Sequence, residues 1–164
     1  IRPHHIAVAC CEALARAAGA SGMVGGQADD CMGRLEDGNI ETLESIHNRK
    51  TGQMIRVSLK LGALVAGADD TQINALDEYG RRLGLAFQIT DDLLDVRGEQ
   101  DNTGKRVGKD AQRGKLTFPG LLGVEASYRR AEQLIEKACR DIQPFGRQGH
   151  GLEAVAQYVL VRNR

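Results

Sequence analysis

The sequence predicts an all-α protein, folded as an antiparallel helix bundle, and three observations support this. Only 3 of the 164 residues are proline, and none lies between Pro3 and Pro119, so long uninterrupted helices are permitted. Apolar residues recur at the spacings of a helix face, and no segment alternates between apolar and polar residues as a strand would. Aromatic residues, which favour strands, make up only 4% of the chain.

The first part of the chain is predicted to form three helices. They cover about residues 6–18, 22–35 and 41–65. Gly19 ends the first helix, and the turn that follows the third makes Asp70 or Thr71 the N-cap of the next helix. The apolar spacing along the third helix has one gap, between Ile46 and Met54.

The remaining chain is predicted to form three more helices, joined by two loops. The helices cover about residues 72–97, 118–141 and 152–162, and the loops cover 99–116 and 143–151. Gly98 ends the first of these helices. Pro119 occupies the first turn of the next one, where its missing N–H has no helical partner to lose.

The overall charge and hydropathy exclude several classes of protein. The 22 basic and 22 acidic residues cancel, which argues against a general nucleic-acid binder and a polybasic membrane anchor. Strongly apolar runs such as residues 61–68 are too short to span a membrane. Because the chain begins at Ile1 with no initiator methionine, we expect a fragment or a processed piece. It shows no secretory signal, and we expect a cytoplasmic location.

The four cysteines show no spacing typical of metal ligands. They are Cys10, Cys11, Cys31 and Cys139. We expect four buried thiols in a reducing compartment.

Acidic residues cluster near the end of the predicted helix over 72–97. Asp91 and Asp95 lie four residues apart on one face, Gln88 precedes them by one turn, and Asp92 borders the stripe. Carboxylates before Gly98 would lie at the negative end of the helix dipole and would repel one another. A cation would compensate, and carboxylate oxygens suit Mg²⁺, which keeps waters and shares substrate phosphates. The alternative is a solvated acidic face.

A lysine on the preceding helix is expected to face these carboxylates. Lys50 lies 19 residues before Asp69, and Asp91 lies 22 residues after it. In an antiparallel pair, that difference of three residues corresponds to only about 4–5 Å of axial height. Lys50 can therefore provide a second cation for an anionic ligand. The same helix face carries His47, Thr51 and Met54.

Two neighbouring segments add polar groups at this end of the bundle. Gln27 and Asp30 could reach it from the preceding helix, or could be packing polar groups beside Gly25 and Gly26. The loop after the acidic helix carries basic residues among its glycines, namely Lys105, Arg106, Lys109, Arg113 and Lys115. Such a loop can close over phosphates. Carboxylates for Mg²⁺ with converging lysines predict a diphosphate site that stabilises a leaving group.

These motifs together resemble the trans-isoprenyl diphosphate synthases, or polyprenyl synthetases, and the bacterial farnesyl and geranylgeranyl diphosphate synthase branch in particular. The matching segments are Gly25-Gly26-Gln27 with Asp30, Ile46-His47 with Lys50-Thr51-Gly52, Phe87-Gln88-Ile89 with Asp91-Asp92 and Asp95, and Gly104-Lys105-Arg106 with Lys109, Lys115, Thr117 and Pro119. The resemblance implies a helix bundle of the isoprenoid synthase type. Residues 1–164 resemble the C-terminal half of that single domain, with no second domain.

The resemblance also implies roles for individual residues. Asp91, Asp92 and Asp95 look like the second aspartate-rich motif, which holds Mg²⁺, with Asp91 as a direct ligand. The positions that match catalytic contacts to the allylic diphosphate are Lys50, Thr51, Gln88 and Lys105. The further positions that match substrate binding are Lys115, Gln27 and Asp30.

The reaction implied is Mg²⁺-dependent prenyl transfer in isoprenoid biosynthesis. An allylic diphosphate ionises, the double bond of isopentenyl diphosphate attacks, and a proton is lost. The family also implies a homodimer of the full-length protein. However, the earlier aspartate-rich motif and the basic residues for isopentenyl diphosphate do not occur in this sequence. We therefore expect the isolated chain to be inactive and poorly stable.

Three other functions compete with this interpretation. A terpene cyclase shares the fold class, but its second metal motif mixes Asn or Asp with Ser or Thr and Glu. A Mg²⁺-dependent helical pyrophosphohydrolase would explain the carboxylates but not Lys50, Lys105 and Lys115. A non-catalytic helical subunit of a heteromeric synthase would explain the missing motif, but it has no chemical need for Asp91, Asp92 and Asp95.

Overall fold

The computed structural model describes residues 3–32, 38–101 and 116–162, and in these ranges the chain is helical, as predicted. The α-helices are α1 (His4–Ala18), α2 (Met23–Met32), α3 (Ile40–His47), α4 (Gln53–Ala66), α5 (Asp70–Asp101), α6 (Phe118–Leu122), α7 (Val124–Asp141) and α8 (His150–Val161). A π-helical turn, Asn48–Gly52, joins α3 to α4, and a 3₁₀ segment, Gln143–Gly149, precedes α8.

The long helix α5 is the centre of the bundle and packs against α4, α7 and α8. It runs antiparallel to α4, since Gly80 contacts Arg56 while Gly84, further along α5, contacts the earlier Gly52. It runs parallel to α8, because Tyr79 donates a hydrogen bond to the Leu152 carbonyl at 2.7 Å and Asp91 pairs with Arg162. This arrangement confirms the predicted bundle.

Two apolar clusters hold α5 in place. The larger cluster joins α4, α5, α7 and α8, and its most buried members include Tyr79, Ala86, Ile135, Ala138 and Ala156. The second cluster lies nearer the far end of α5 and contains Leu43, Leu85, Ile89, Leu93, Phe118 and Ala131. Because this second cluster joins α3, α5, α6 and α7, it fixes the segment of α5 that carries the acidic residues.

The helix predicted over 41–65 is present but is interrupted by the π-helical turn. The turn falls inside the gap in apolar spacing between Ile46 and Met54. A π-turn accommodates an extra residue in one turn of helix, which explains why the apolar spacing breaks at this place. At the start of α3, Asn39 is the N-cap, and its Oδ1 accepts the Thr42 N–H at 2.9 Å.

The ends of α5 differ from the prediction at both boundaries. The helix begins at Asp70, and its N-cap is Asp69, whose Oδ1 accepts the Gln72 N–H at 2.8 Å. The predicted N-caps Asp70 and Thr71 are therefore wrong by one or two residues. At the other end, α5 continues through Gly98 to Asp101. The acidic residues thus lie further from the helix terminus than expected, and the dipole argument against them is weaker.

The helix predicted over 118–141 is broken into α6 and α7. Gly123 separates them with a φ of 82°, a conformation that residues with a side chain rarely adopt. Thr117 caps α6, since its hydroxyl accepts the Gly120 N–H at 3.2 Å, and Pro119 lies in the first turn as predicted. Residues 143–151, predicted to be a loop, form a 3₁₀ segment that is kinked at Gly146, where φ is 52°, and then the start of α8.

The first two helices include the one candidate for a membrane span found among the described residues. By length and composition alone, His4–Met32 is apolar enough to cross a membrane, whereas the apolar runs of the sequence predicted no span. The structure divides this stretch into two helices. Since α1 has 15 residues, it is about 22 Å long, shorter than a hydrocarbon core of roughly 30 Å.

All four cysteines are free thiols, as expected, but the prediction that all are buried is wrong. Cys10 is buried, Cys11 and Cys31 are exposed, and Cys139 is half-buried.

Two glycine substitutions test whether the packing of α2 determines stability. An ideal Cβ on Gly26 would lie 2.4 Å from the Lys50 backbone N and 2.9 Å from the Arg49 carbonyl carbon. We expect Gly26→Ala to lower the free energy of unfolding by about 1–3 kcal/mol, because backbone must move. A Cβ on Gly62, in α4, meets nothing within 4 Å, so Gly62→Ala should raise it by about 0.5–1 kcal/mol. Urea denaturation measures the free energy of unfolding of both variants. Equal changes in the two would contradict the close approach of Gly26 to the backbone of Arg49 and Lys50.

Candidate functional site

The π-helical turn is held against α2 by a close backbone contact and two ion pairs. Gly26 lets the helix approach the backbone of Arg49 and Lys50. Asp29 pairs with Arg49, and the Lys50 ammonium donates to Asp30 Oδ2 at 2.5 Å. Asp30 therefore reaches this end of the bundle, as the sequence suggested it could. Both side chains of the Lys50–Asp30 pair are mostly buried, so the position of the ammonium group is restricted.

The predicted register between Lys50 and the acidic residues is close to the observed one. Gly52 contacts Gly84, and His47 Nε2 lies 3.9 Å from Asp92 Oδ2. Lys50 lies between these two contacts, so it is opposite the segment of α5 that leads into Asp91. Its ammonium group, however, is paired with Asp30 in the structure.

An arginine that the sequence did not single out covers the first acidic residue. Arg162, directly after α8, donates to Asp91 Oδ1 at 2.5 Å and to Thr90 Oγ1 at 3.1 Å. Its guanidinium carbon lies 4.0 Å above the centre of the Phe87 ring, a favourable cation–π contact. The sequence contains no signal for this pair, because 71 residues separate the partners and only the parallel packing of α8 on α5 joins them.

The three aspartates of the motif lie in different environments. The Asp91 side chain is 43% exposed, and Asp95, one turn later, is also exposed. The Asp92 side chain is only 9% exposed, and its Oδ2 accepts a hydrogen bond from the Phe118 backbone N–H at 2.9 Å. Asp91 and Asp95 can therefore take a ligand from solvent, whereas Asp92 lies inside the bundle.

An apolar cavity of about 520 Å³ opens beside these residues, between α4, α5 and α8. Its walls are mostly apolar, and include Met54, Ile55, Leu59, Leu83, Phe87 and Val159. Thr51 and Arg162 are among its polar lining residues. Tyr79 also lines the cavity, two turns before Phe87 on α5. Burial raises the pKa of the Tyr79 phenol, so the group stays protonated and its O–H remains bonded to Leu152. The cavity suits a ligand with an apolar body and a charged head.

Three other predicted site residues are described by their exposure and contacts, and the predicted basic residues lie outside the described residues. Gln88 and Thr51 are half-buried. Gln27 is exposed, and its Nε2 donates to Cys31 Sγ at 3.0 Å on the same helix. The basic residues predicted to close over phosphates, Lys105, Arg106, Lys109, Arg113 and Lys115, lie outside the described residues.

The carboxylates fit a magnesium ion only if water and substrate oxygens supply its remaining ligands. Within the described ranges, no group of three or more His, Cys, Asp or Glu side chains is gathered to hold a metal. Asp91 and Asp95 offer hard oxygen ligands on one face, whereas Asp92 Oδ2 already accepts a backbone N–H. Mg²⁺ commonly binds through one or two carboxylates and completes its shell with water and substrate phosphate oxygens. Asp91 and Asp95 fit this pattern.

Comparison with known proteins identifies relatives over nearly the whole chain. The chain is 43% identical over 155 residues to farnesyl diphosphate synthase of Escherichia coli (strain K12), covering 92% of this chain and 52% of that protein. Among solved structures, an FPP/GFPP synthase from Zymomonas mobilis superimposes with a TM-score of 0.82 at 32% identity, covering 94% of this chain and 51% of that one. The geranyltransferase from Helicobacter pylori, complexed with magnesium and isoprenyl diphosphate, gives a TM-score of 0.76 at 30% identity, covering 96% and 52%.

The chain thus spans about half the length of the relatives that it matches. The family model of polyprenyl synthetase matches residues 4–148, most of the sequence. Together with the helix bundle and the order of the motifs, this match shows that the chain belongs to the polyprenyl synthetase family.

Proposed function

We propose that this chain forms the part of a Mg²⁺-dependent prenyltransferase that binds and ionises the allylic diphosphate in isoprenoid biosynthesis. The observation that carries the proposal is the apolar cavity lined by Thr51 of the π-helical turn and by Arg162, which pairs with Asp91. Membership of the polyprenyl synthetase family supports it. A prenyl diphosphate combines an anionic head with an apolar tail, which matches the two parts of this site.

The side chains divide between the head and the tail of such a substrate. Asp91 and Asp95 would hold Mg²⁺, which would neutralise charge on the departing pyrophosphate. The Lys50 ammonium, the Thr51 hydroxyl and the Gln88 amide would donate to diphosphate oxygens. Lys105 and Lys115 are proposed to close over the same group, on the family resemblance. The apolar walls between α4 and α8 would hold the isoprenoid tail away from water.

The chemical contribution of these residues is electrostatic. When the allylic C–O bond breaks, negative charge develops on pyrophosphate, and fixed positive groups stabilise it more than they stabilise the bound substrate. Because Lys50 is already held by Asp30, little reorganisation is needed as the charge develops. Isopentenyl diphosphate would attack the resulting allylic cation, and a proton would then be lost.

The proposed partners are therefore allylic and isopentenyl diphosphate, and the homodimer expected of the full-length protein remains a prediction. A cytoplasmic location is also a prediction, with which the free thiols agree.

Replacing Asp91 tests the metal-bridged site. We expect Asp91→Ala to weaken Mg²⁺-dependent binding of a bisphosphonate roughly tenfold or more, because a charge-assisted contact to the metal is lost. Isothermal titration calorimetry measures this. Asp77→Ala is the matched control, since Asp77 is another arginine-paired carboxylate on α5, bonded to Arg56. Equal affinities of the Asp91→Ala variant and the parent would refute the site.

Removing Arg162 tests whether its guanidinium competes with the metal for Asp91. The ion pair is partly exposed, so it should be worth up to about 1 kcal/mol. We expect Arg162→Ala to tighten Mg²⁺ binding by about three- to fivefold, as measured by titration of the metal. The exposed pair of Arg140 and Glu136 offers a control, Arg140→Ala, that should change nothing. Weaker metal binding in Arg162→Ala would show that Arg162 supports the metal site.

Turnover by this chain alone is expected to be absent. The sequence contains one aspartate-rich motif, whereas the resemblance implies two, together with basic residues for isopentenyl diphosphate. An assay of isopentenyl diphosphate with dimethylallyl or geranyl diphosphate should therefore give no product. Chain elongation above the background without protein would contradict this prediction.

A further inference from the structure

The second aspartate of the motif belongs to a buried contact that joins three elements of the site. Asp92 Oδ2 on α5 accepts the Phe118 N–H at the start of α6. His47 at the end of α3 lies 3.9 Å from the same oxygen, and its ring stacks on that of Phe118 with centroids 5.7 Å apart. The side chains of His47 and Asp92 are 4% and 9% exposed. We call these three residues the buried node.

The buried node lies directly beside residues that the proposed function uses. His47 is the residue before the π-helical turn that carries Lys50 and Thr51. Asp92 follows Asp91 in sequence but points into the bundle rather than to solvent. Phe118 is the first residue of α6, just after Thr117 and the segment that carries Lys105 and Lys115. One contact therefore links the acidic helix, the lysine-bearing turn and the element that follows the basic segment.

We propose that His47 and Asp92 are positioning residues for the diphosphate site, and that Asp92 is not a magnesium ligand. The Asp92 side chain is only 9% exposed, and the oxygen that accepts the Phe118 N–H lies inside the bundle, so this carboxylate is far less accessible to a hydrated ion than Asp91. The Asp92 carboxylate instead fixes the rotation of α5 that turns Asp91 and Asp95 outward. This inference rests on the proposed function and revises the metal set from three aspartates to two.

The conservative variant separates positioning from metal binding. Asparagine in place of Asp92 retains an acceptor for the Phe118 N–H but is a poorer magnesium ligand. We expect Asp92→Asn to keep the Mg²⁺-dependent affinity for a bisphosphonate within about threefold of the parent, and Asp91→Asn to lose roughly tenfold or more. Asp92→Ala should also lose about tenfold, since the N–H is left unpaired. If Asp92→Asn loses as much as Asp91→Asn, the proposal is overturned.

A double-mutant cycle and amide exchange test the node without depending on ligand binding. Hydrogen–deuterium exchange of the 164-residue chain should show faster exchange at Phe118 and across the π-helical turn in Asp92→Ala and in His47→Ala, but not in Asp92→Asn. In the double variant His47→Ala/Asp92→Ala, exchange at Phe118 and the π-helical turn should be little faster than in either single variant, because each substitution already disrupts the buried node. Ile135→Val, a buried change in the other apolar cluster, is the control for lost stability and should leave exchange at the turn unaltered.

The two sets of measurements distinguish the possible failures. If the parent chain binds no bisphosphonate with Mg²⁺, the proposed function fails, while the exchange data still decide whether the node positions the turn. If faster exchange in Asp92→Ala is confined to Phe118 and does not reach Lys50 and Thr51, the positioning role is wrong.

Discussion

The site depends on the close approach of helices at glycine residues. Gly26 lets α2 contact the backbone of the π-helical turn, and Gly84 on α5 lies against Gly52 on the other side of that turn. A Cβ on Gly26 would lie 2.4 Å from the Lys50 backbone N and one on Gly84 would lie 3.0 Å from the Gly52 Cα, so a side chain at either position would push the turn outward. Because Lys50 and Thr51 are part of the turn, their distance from the acidic helix is set by backbone packing and not by the flexibility of their side chains.

Three ion pairs between different elements lie at this end of the bundle among the described residues. Asp29 pairs with Arg49, Asp30 with Lys50, and Asp91 with Arg162. These aspartates of α2 and α5 are thus each joined to a basic residue from another element. On the proposed function, a metal–diphosphate complex carries charge of both signs, and its metal would exchange with Arg162 at Asp91 instead of adding an uncompensated charge. Exchange of this kind needs little desolvation beyond what the fold already requires, since the ionic groups are partly buried before the ligand binds.

Much of this arrangement follows from spacing in the sequence. The three-residue difference between Lys50 and Asp91 around Asp69 predicted their register, and the gap between Ile46 and Met54 marked the place of the π-helical turn. The π-turn itself was not predicted, because a gap in apolar spacing has several structural causes. The pairing of Asp91 with Arg162 depends on how α8 packs, which no local pattern encodes. Helical spacing placed Asp92 beside the acidic stripe but could not show that it bonds to Phe118.

On the proposed function, the groups gathered in this chain act on one reactant. In that proposal, Asp91, Asp95, Lys50 and Thr51 surround the leaving pyrophosphate, and the apolar cavity that Thr51 lines would hold the tail. Ionisation of an allylic diphosphate requires charge stabilisation at the leaving group, whereas the attack that follows requires a second diphosphate to be held in line with the cation. These are separate tasks with separate binding groups. On the proposed function, the carboxylates, the lysine-bearing turn and the cavity serve the first of these tasks, the ionisation of the allylic diphosphate.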